Sequence, residues 1–401
     1  MTHVIVVGAG QAGASCVAKL RNDGFDGQIT LIGAETALPY QRPPLSKAYL
    51  LGDMALDRLY LRPRSFYDEQ NIDLRLGQTV TDIDAGQQVL RVGDDTLNYD
   101  HLVLTTGSTP RALPAAIGGD LEGVYTVRDL ADADAMAPQF QAGKHALIVG
   151  GGYIGLEAAA VAAQKGLEVT LVEMAPRILQ RVAAKETSDY FRALHQAHGV
   201  TILENTGLAR LTGPAHVTAA ELSDGQKLEV DFVIVGVGIA PNTALAEAAG
   251  CALNNGIATD EYGATSIANI WAAGDCASFP YRGQRIRLES VPNAIDQAEC
   301  VAANIMGHQK SYVAKPWFWS DQYDVKLQIA GLNSGYDHVI SRPGAGSASF
   351  WYYAGPQLLA VDAMNAPRDY MIGKRLIEAG KSPDPTVLSD PNTDLKALLK
   401  A

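Results

Sequence analysis

Two stretches decide the fold: VIVVGAGQAG at residues 4–13 and ALIVGGGYIGLEAA at residues 146–159. Each is an apolar strand running into Gly-x-Gly-x-x-Gly and then into a helix of small residues. Glycines there let the chain turn tightly and bring backbone N–H groups close to a pyrophosphate at the positive end of a helix. One such loop is weak evidence, because glycines also serve close helix and strand packing. Two copies in the same strand–loop–helix context point to two dinucleotide sites in one chain.

Working outward, the first loop leads to a helix over residues 13–24, the strand ITLIG and a proline-rich stretch, QRPPLSKAYL. A further strand, HLVLTTG, follows at 101–107. The plan then repeats. HALIVGGG, a helix to about 165, LEVTLVE, a long helix around 185–198 and DFVIVGVG make a second doubly wound unit. IWAAGDCA and the helical NAIDQAECVAANIMG, after residue 243, read as completion of the first sheet. Beyond about 316 the period changes to short strands, the helical PRDYMIGKRLIEAG and a helical tail. The fold class is therefore α/β, with two Rossmann-like dinucleotide-binding domains and a C-terminal α+β domain. The expected boundaries are 1–112 with 243–315 for the first domain, 113–242 for the second and 316–401 for the third.

The 401 residues carry 32 Lys+Arg against 44 Asp+Glu, a net charge of −12. That argues against nucleic acid or an anionic membrane as the main partner. The start, MTHVIVVG, enters an apolar strand at once, and no apolar run reaches membrane-spanning length. The four cysteines, Cys16, Cys251, Cys276 and Cys300, make neither a metal knuckle nor a Cys-x-x-Cys pair. A cytoplasmic protein without a bound metal is expected.

The second loop has a carboxylate, Glu173, at the end of EVTLVE, placed to accept hydrogen bonds from a ribose 2′-OH. Aligning QITLIG on EVTLVE puts Gly33 in the same slot of the first loop, and the nearest carboxylate there is Glu35. Arg177, four residues after Glu173, stands where it could swing toward a 2′-phosphate. Glu157, two residues after Gly155, reads either as a first-turn carboxylate favoured by the helix dipole or as a reactive group. Lys47, in the otherwise apolar PPLSKAYL, favours a specific counter-ion.

GAGQAG, RPPLSK (42–47), TTGSTPR (105–111), GGGYIGLE (150–157), GVGIAPN (236–242) and AAGDCA (272–277) together resemble the glutathione-reductase-like pyridine nucleotide flavoproteins. RLESVPNAIDQA (287–298) and PWFWSDQYDVKL (316–327) are similar to the NADH-dependent ferredoxin reductases that feed oxygenases. The resemblance spans essentially the whole chain. It implies FAD on the first loop and NADH on the second. For FAD it implies Gly8, Gly10, Ala12, Gly13, Glu35, Arg42, Lys47, Val80, Thr106, Gly107, Arg128, Gly274, Asp275 and Val291, with Pro292 beside the last. For NADH it implies Gly150, Gly152, Tyr153, Ile154, Gly155, Glu157, Glu173 and Gly238. Lys47 is paired with Glu157 beside the flavin, and Trp319 lies near the flavin's exposed edge, so these three are the candidate catalytic residues.

NADH delivers two electrons as hydride, and RPPLSK offers no cysteine to take them onward. The acceptor is then external, and a one-electron two-iron two-sulfur ferredoxin serving a monooxygenase of the cytochrome P-450 type fits best. Rubredoxin, a quinone, or a redox-gated interaction role like that of apoptosis-inducing factor are the alternatives. The ferredoxin is expected to dock transiently on a monomer or weak dimer, with Arg285, Arg287 and Lys326 as candidate docking charges.

Overall fold

The structure, a computed structural model, describes residues 1–390 and 392–400. The chain forms two compact units: Met1–Gln41 with Leu56–Thr109 and Ile239–Pro316, and Arg42–Ala55 with Pro110–Gly238 and Trp317–Ala401.

In the first unit, the strand His3–Val7 pairs in parallel with Gln28–Gly33 on one side and His101–Leu104 on the other. Ile72–Leu76 extends one edge and Ile270–Ala272 the other, giving a five-stranded parallel sheet. The chain thus returns to its first sheet after the whole of the second has been built. Val4, Ile5 and Val6 are fully buried, as expected of a central parallel strand covered on both faces. The helices Gln11–Asn22 and Val291–Ile305 pack on each other, and Cys16, Val17, Leu20, Ala298 and Val301 share one core cluster. HLVLTTG is a strand only through Leu104. The Thr105 hydroxyl turns back to Val7 O (3.1 Å) and Gly8 O (2.8 Å), which releases the next residues into a loop.

In the second unit, His145–Val149 lies between Glu168–Glu173 and Phe232–Val235, again in parallel, with Thr201–Glu204 and Val124–Tyr125 at the edges. The helix Tyr153–Gln164 packs on this sheet with Ala158, Ala159 and Ala162, whose small side chains allow close approach. A five-stranded antiparallel sheet follows in the order Trp317–Gln322, Val325–Gly331, Gln357–Met364, Ser347–Ala354, His338–Gly344. Pro367–Glu378 packs across it. The helical tail reduces to the short helix Pro385–Ser389 and a 3-10 turn, Ala397–Leu399. The Pro, Ser and Asp between residues 382 and 390 do not sustain a longer one. Among the described residues no helix is long and apolar enough to cross a membrane.

The strand Trp317–Gln322 positions the site. Alternation sends Phe318, Ser320 and Gln322 to one face and Trp317 and Trp319 to the other. Phe318 and Ser320 meet the helix Tyr153–Gln164, the Phe318 ring 4.8 Å from Tyr153 and Ser320 bonded to Glu157, while Gln322 bonds His195. The Trp317 and Trp319 rings lie 5.6 Å apart, tilted by 30°.

Candidate active site

Each glycine of the two loops answers a different demand. Gly8 has φ +112°, and a Cβ there would stand 2.1 Å from Thr105 O. A Cβ on Gly13 would stand 2.0 Å from Gly8 O. Gly150 (φ +106°) and Gly155 repeat this against Gly236 O at 2.5 Å and Gly150 O at 2.1 Å. These four glycines are required by the protein itself. The middle glycines are not. Gly10 (φ −89°) and Gly152 (φ −82°) have ordinary backbone angles, and nothing lies within 4 Å of where their Cβ would be. A side chain at either would fill the space over a helix N-terminus, which is where a pyrophosphate fits.

Around the first cradle, Ala12 is buried and a Cβ on Gly274 would reach it at 3.1 Å. Gly274 N donates to Gln297 Oε1 (2.9 Å), while the buried Gln297 Nε2 has no protein acceptor. An unpaired buried donor beside the loop suits an acceptor-rich ligand. Asp275 accepts from Ser108 Oγ at 2.9 Å. Thr106 Oγ1 donates to Asn242 O (2.6 Å), and Asn242 N donates to Gly107 O (2.9 Å), fastening TTG to APN. Glu35 accepts from the Tyr40 hydroxyl. Val80 is buried in the core of the first unit, paired with Val92. Val291 and Pro292 open the helix Val291–Ile305, capped by Ser290, whose hydroxyl accepts from Asn293 N at 3.3 Å. These groups fit FAD.

In the second unit, Glu173 accepts from Gly151 N and Ala175 N, both at 2.7 Å. Its carboxylate is thereby fixed at the loop with lone pairs left for ribose hydroxyls. Arg177 is not free to swing: it donates to Ala183 O (2.8 Å), Ala184 O (3.3 Å) and Ser188 Oγ. Ile154 is exposed at the loop, the Tyr153 ring packs on Phe318, and Gly238 O accepts from Arg111 N at 2.9 Å. Arg42 Nη1 donates to Arg128 O at 2.7 Å.

Lys47 and Glu157 meet. Lys47 Nζ lies 2.9 Å from Glu157 Oε2, with side chains only 17% and 6% exposed. Ser46 Oγ donates to the same oxygen at 2.9 Å and Ser320 Oγ to Oε1 at 2.7 Å. Burial pushes the Glu157 carboxyl up, and Lys47 first, then the serine hydroxyls, oppose it. Glu157 is not a first-turn residue. The helix begins at Tyr153, so Glu157 is its fifth residue and faces inward. Ser46 and Ser320 escaped the sequence reading, although Ser46 adjoins Lys47 and Ser320 adjoins Trp319.

Trp319 is half-buried. Of the proposed docking charges, Arg287 is only 9% exposed. It donates to Asn255 O (3.0 Å) and Asp275 O (3.1 Å) and pairs with Glu289 at 2.6 Å, so it braces the Asp275 loop. Arg285 also spends Nη1 on backbone, at Thr259 O and Ser278 O. Lys326 is exposed. All four cysteines are buried and unpaired, and burial raises each thiol's pKa, Cys16 to about 12.

Two nucleotide cradles on twin parallel sheets, a buried Lys–Glu pair and no cysteine pair define a flavoprotein oxidoreductase that lacks an internal dithiol. The chain belongs to the pyridine nucleotide-disulphide oxidoreductase family, whose model matches residues 2–298, and a reductase C-terminal model matches 317–399. It uses FAD and NAD(H). It is 43% identical over 405 residues to a ferredoxin–NAD(P)(+) reductase of Sphingomonas, covering 98% of this chain and 97% of that one. To putidaredoxin reductase of Pseudomonas putida it is 41% identical over 409 residues, covering 100% and 97%. A solved structure of the covalent putidaredoxin reductase–putidaredoxin complex matches with a TM-score of 0.96 at 40% identity, over 100% of this chain and 98% of that one.

Proposed function

We propose that the chain is an NADH-dependent ferredoxin reductase. It takes hydride from NADH and passes single electrons to a two-iron two-sulfur ferredoxin that serves a monooxygenase of the cytochrome P-450 type. One observation carries the reading: both middle glycines face open space while the cysteines are buried and apart. Two nucleotides are then held without a dithiol to receive the electrons, so the acceptor comes from outside. That its relatives are a ferredoxin–NAD(P)(+) reductase and putidaredoxin reductase supports a ferredoxin in that part.

Residues 1–112 and 243–315 bind FAD. Gly10 leaves room for its pyrophosphate in the loop that Gly8, Ala12 and Gly13 shape, Gly274 and Asp275 would hold it and the ribitol, and Glu35, Arg42, Lys47, Val80, Thr106, Gly107, Arg128 and Val291 would complete the set. Bound FAD supplies acceptance of a hydride and release of electrons one at a time. Residues 113–242 bind NADH, with Gly150, Gly152, Tyr153, Ile154, Gly155 and Gly238 around the loop. Glu173 takes the ribose hydroxyls and repels a 2′-phosphate, and locked Arg177 offers that phosphate nothing. Glu157, held by Lys47 and two serine hydroxyls, orders the nicotinamide for hydride transfer. Trp319 stands on the electron's way out. The enzyme works in the cytoplasm as a monomer or weak dimer, with its ferredoxin docking transiently.

The test is NADH-driven cytochrome c reduction with and without a panel of purified two-iron ferredoxins. Strong stimulation by at least one supports the reading. NADH oxidation that no ferredoxin accelerates, with a quinone or rubredoxin reduced instead, overturns it.

A further inference from the structure

The Glu157 carboxylate is the inner end of a hydrogen-bonded chain that leads through the protein to a surface turn. Ser320, Gln322 and His195 are each at most 1% exposed, and the ion pair does not account for them. Ser320 Oγ is 2.7 Å from Glu157 Oε1, Gln322 Nε2 3.1 Å from Ser320 Oγ, His195 Nε2 2.8 Å from Gln322 Oε1, and Tyr323 OH 3.1 Å from His195 Nδ1.

The direction of every bond follows from its inner end. An ionised carboxylate only accepts, so the Ser320 proton points at Glu157. Ser320 Oγ then accepts, which requires the amide nitrogen of Gln322. The Gln322 oxygen is left for His195, and because a carbonyl only accepts, Nε2 bears the imidazole proton. Nδ1 is therefore a lone pair, and Tyr323 donates to it.

Two features hold the outer end. Tyr323 has φ +56°, a left-handed backbone that a bulky residue adopts only under constraint, and its ring stacks on His198 at 3.7 Å. Burial, with His198 adding to it, lowers the His195 pKa to about 4, so the imidazole stays neutral at ordinary pH. Facing Glu157 are Lys47 and Ser46 from the segment 43–47 and Ser320 from the strand Trp317–Gln322; facing His195 are His198, Gln322 and Tyr323.

We propose that Ser320, oriented by Gln322, His195 and Tyr323, is a positioning residue for Glu157, giving it one fixed hydrogen bond that keeps the carboxylate ionised where it is buried. The chain supplies from neutral groups what a second cation would otherwise supply. It rests on the reading of Glu157 as a participant in hydride transfer.

The experiment uses FAD-loaded Ser320→Ala, His195→Phe and the conservative Ser320→Thr. In the oxidised protein without NADH, the Glu157 carboxyl is titrated by 13C NMR and assigned by its loss in Glu157→Gln. Ser320→Ala should raise the midpoint by about one pH unit, the worth of a hydrogen bond to a charged group. His195→Phe should raise it by less, and Ser320→Thr should stay near wild type. The acid limb of the stopped-flow rate of flavin reduction by NADH should move by the same amount, with NADH affinity unchanged. A midpoint unmoved in both Ser320→Ala and His195→Phe overturns the proposal. Should Ser320→Ala lose FAD, the His195→Phe titration decides. A midpoint that moves while Glu157→Gln reduces at the wild-type rate keeps the chain and removes Glu157 from the hydride step.

Discussion

The two glycine loops place their glycines alike, and one of their differences in bulk bears on the end of the neighbouring strand. In the first, Ala9 follows the opening glycine, and a Cβ on Gly33, at the end of the next strand, would lie 2.5 Å from the Ala9 Cβ. Nothing larger than glycine fits there. In the second loop the partner of Ala9 is Gly151, and the strand ends in Glu173, whose carboxylate accepts the Gly151 N–H at 2.7 Å. One methyl group thus decides whether the strand can end in an acid bonded to the loop. On the proposed reading the first site takes its acid from Glu35, which accepts from the Tyr40 hydroxyl, and the second from Glu173 at the strand end. The loops look interchangeable as motifs, yet their surroundings suit different nucleotides.

The largest effect should come from filling the open spaces. Gly10→Val should weaken FAD retention, and Gly152→Val should leave FAD bound while weakening NADH, each by roughly a hundredfold. FAD content by absorbance and NADH titration of the oxidised flavin check both. If either variant damaged both sites equally, the division of labour between the loops would fall.

Next, Glu157→Gln leaves Lys47 buried without its counter-charge. A loss of about 3–5 kcal/mol of stability is expected, with flavin reduction slowed about tenfold or more and FAD retained. Chemical denaturation and stopped-flow absorbance measure the two. A wild-type reduction rate would return the pair to a purely structural role.

Glu173→Ala should lower kcat/KM for NADH roughly tenfold and narrow its advantage over NADPH, without reversing it. Steady-state kinetics with both nucleotides decide. A wild-type enzyme with no preference for NADH would contradict the ribose reading of Glu173.

The smallest effect on turnover concerns Asp362. Buried and bonded to Tyr352 OH and Thr187 Oγ1 (2.7 Å), it has no ion-pair partner among the described residues. Burial raises its pKa from 3.8 to about 6. Between those values the native state holds a proton that the unfolded state has released. Its contribution to stability is therefore full below about pH 4 and is lost as pH rises through 6, by an amount on the order of 1–3 kcal/mol. Asp362→Asn should remove that falling component from the stability–pH curve and leave the rise that the neutral, buried His195 contributes over the same range. Among the described residues the buried charged or imidazole side chains, Glu157, His195 and Asp362, all belong to the second unit.

Local signals made much of this readable from sequence. Apolar strands, glycine loops and the strand-end Glu173 are encoded within a few residues. Lys47 was conspicuous because a cation in an apolar stretch needs a partner. The rest depends on distant pairing. Ser320 and Gln322 are unremarkable in composition and gain meaning because strand alternation puts both on the face where Ser320 meets Glu157 and Gln322 meets His195. His195 lies on another helix, and nothing in its neighbours announces Gln322. Arg287 misled for the converse reason: an arginine in a polar stretch reads as exposed, whereas its guanidinium closes backbone carbonyls of its own unit.

The most direct measurement is an anaerobic titration of the FAD-loaded protein with NADH, followed by mixing with an oxidised two-iron ferredoxin and thiol counting throughout. One equivalent of NADH should bleach the flavin fully without new thiols, and the reduced protein should then reduce two equivalents of ferredoxin. Uptake of a second equivalent with thiols appearing, or a reduced flavin that ferredoxin does not reoxidise, would contradict an enzyme that holds two nucleotides and passes electrons straight out.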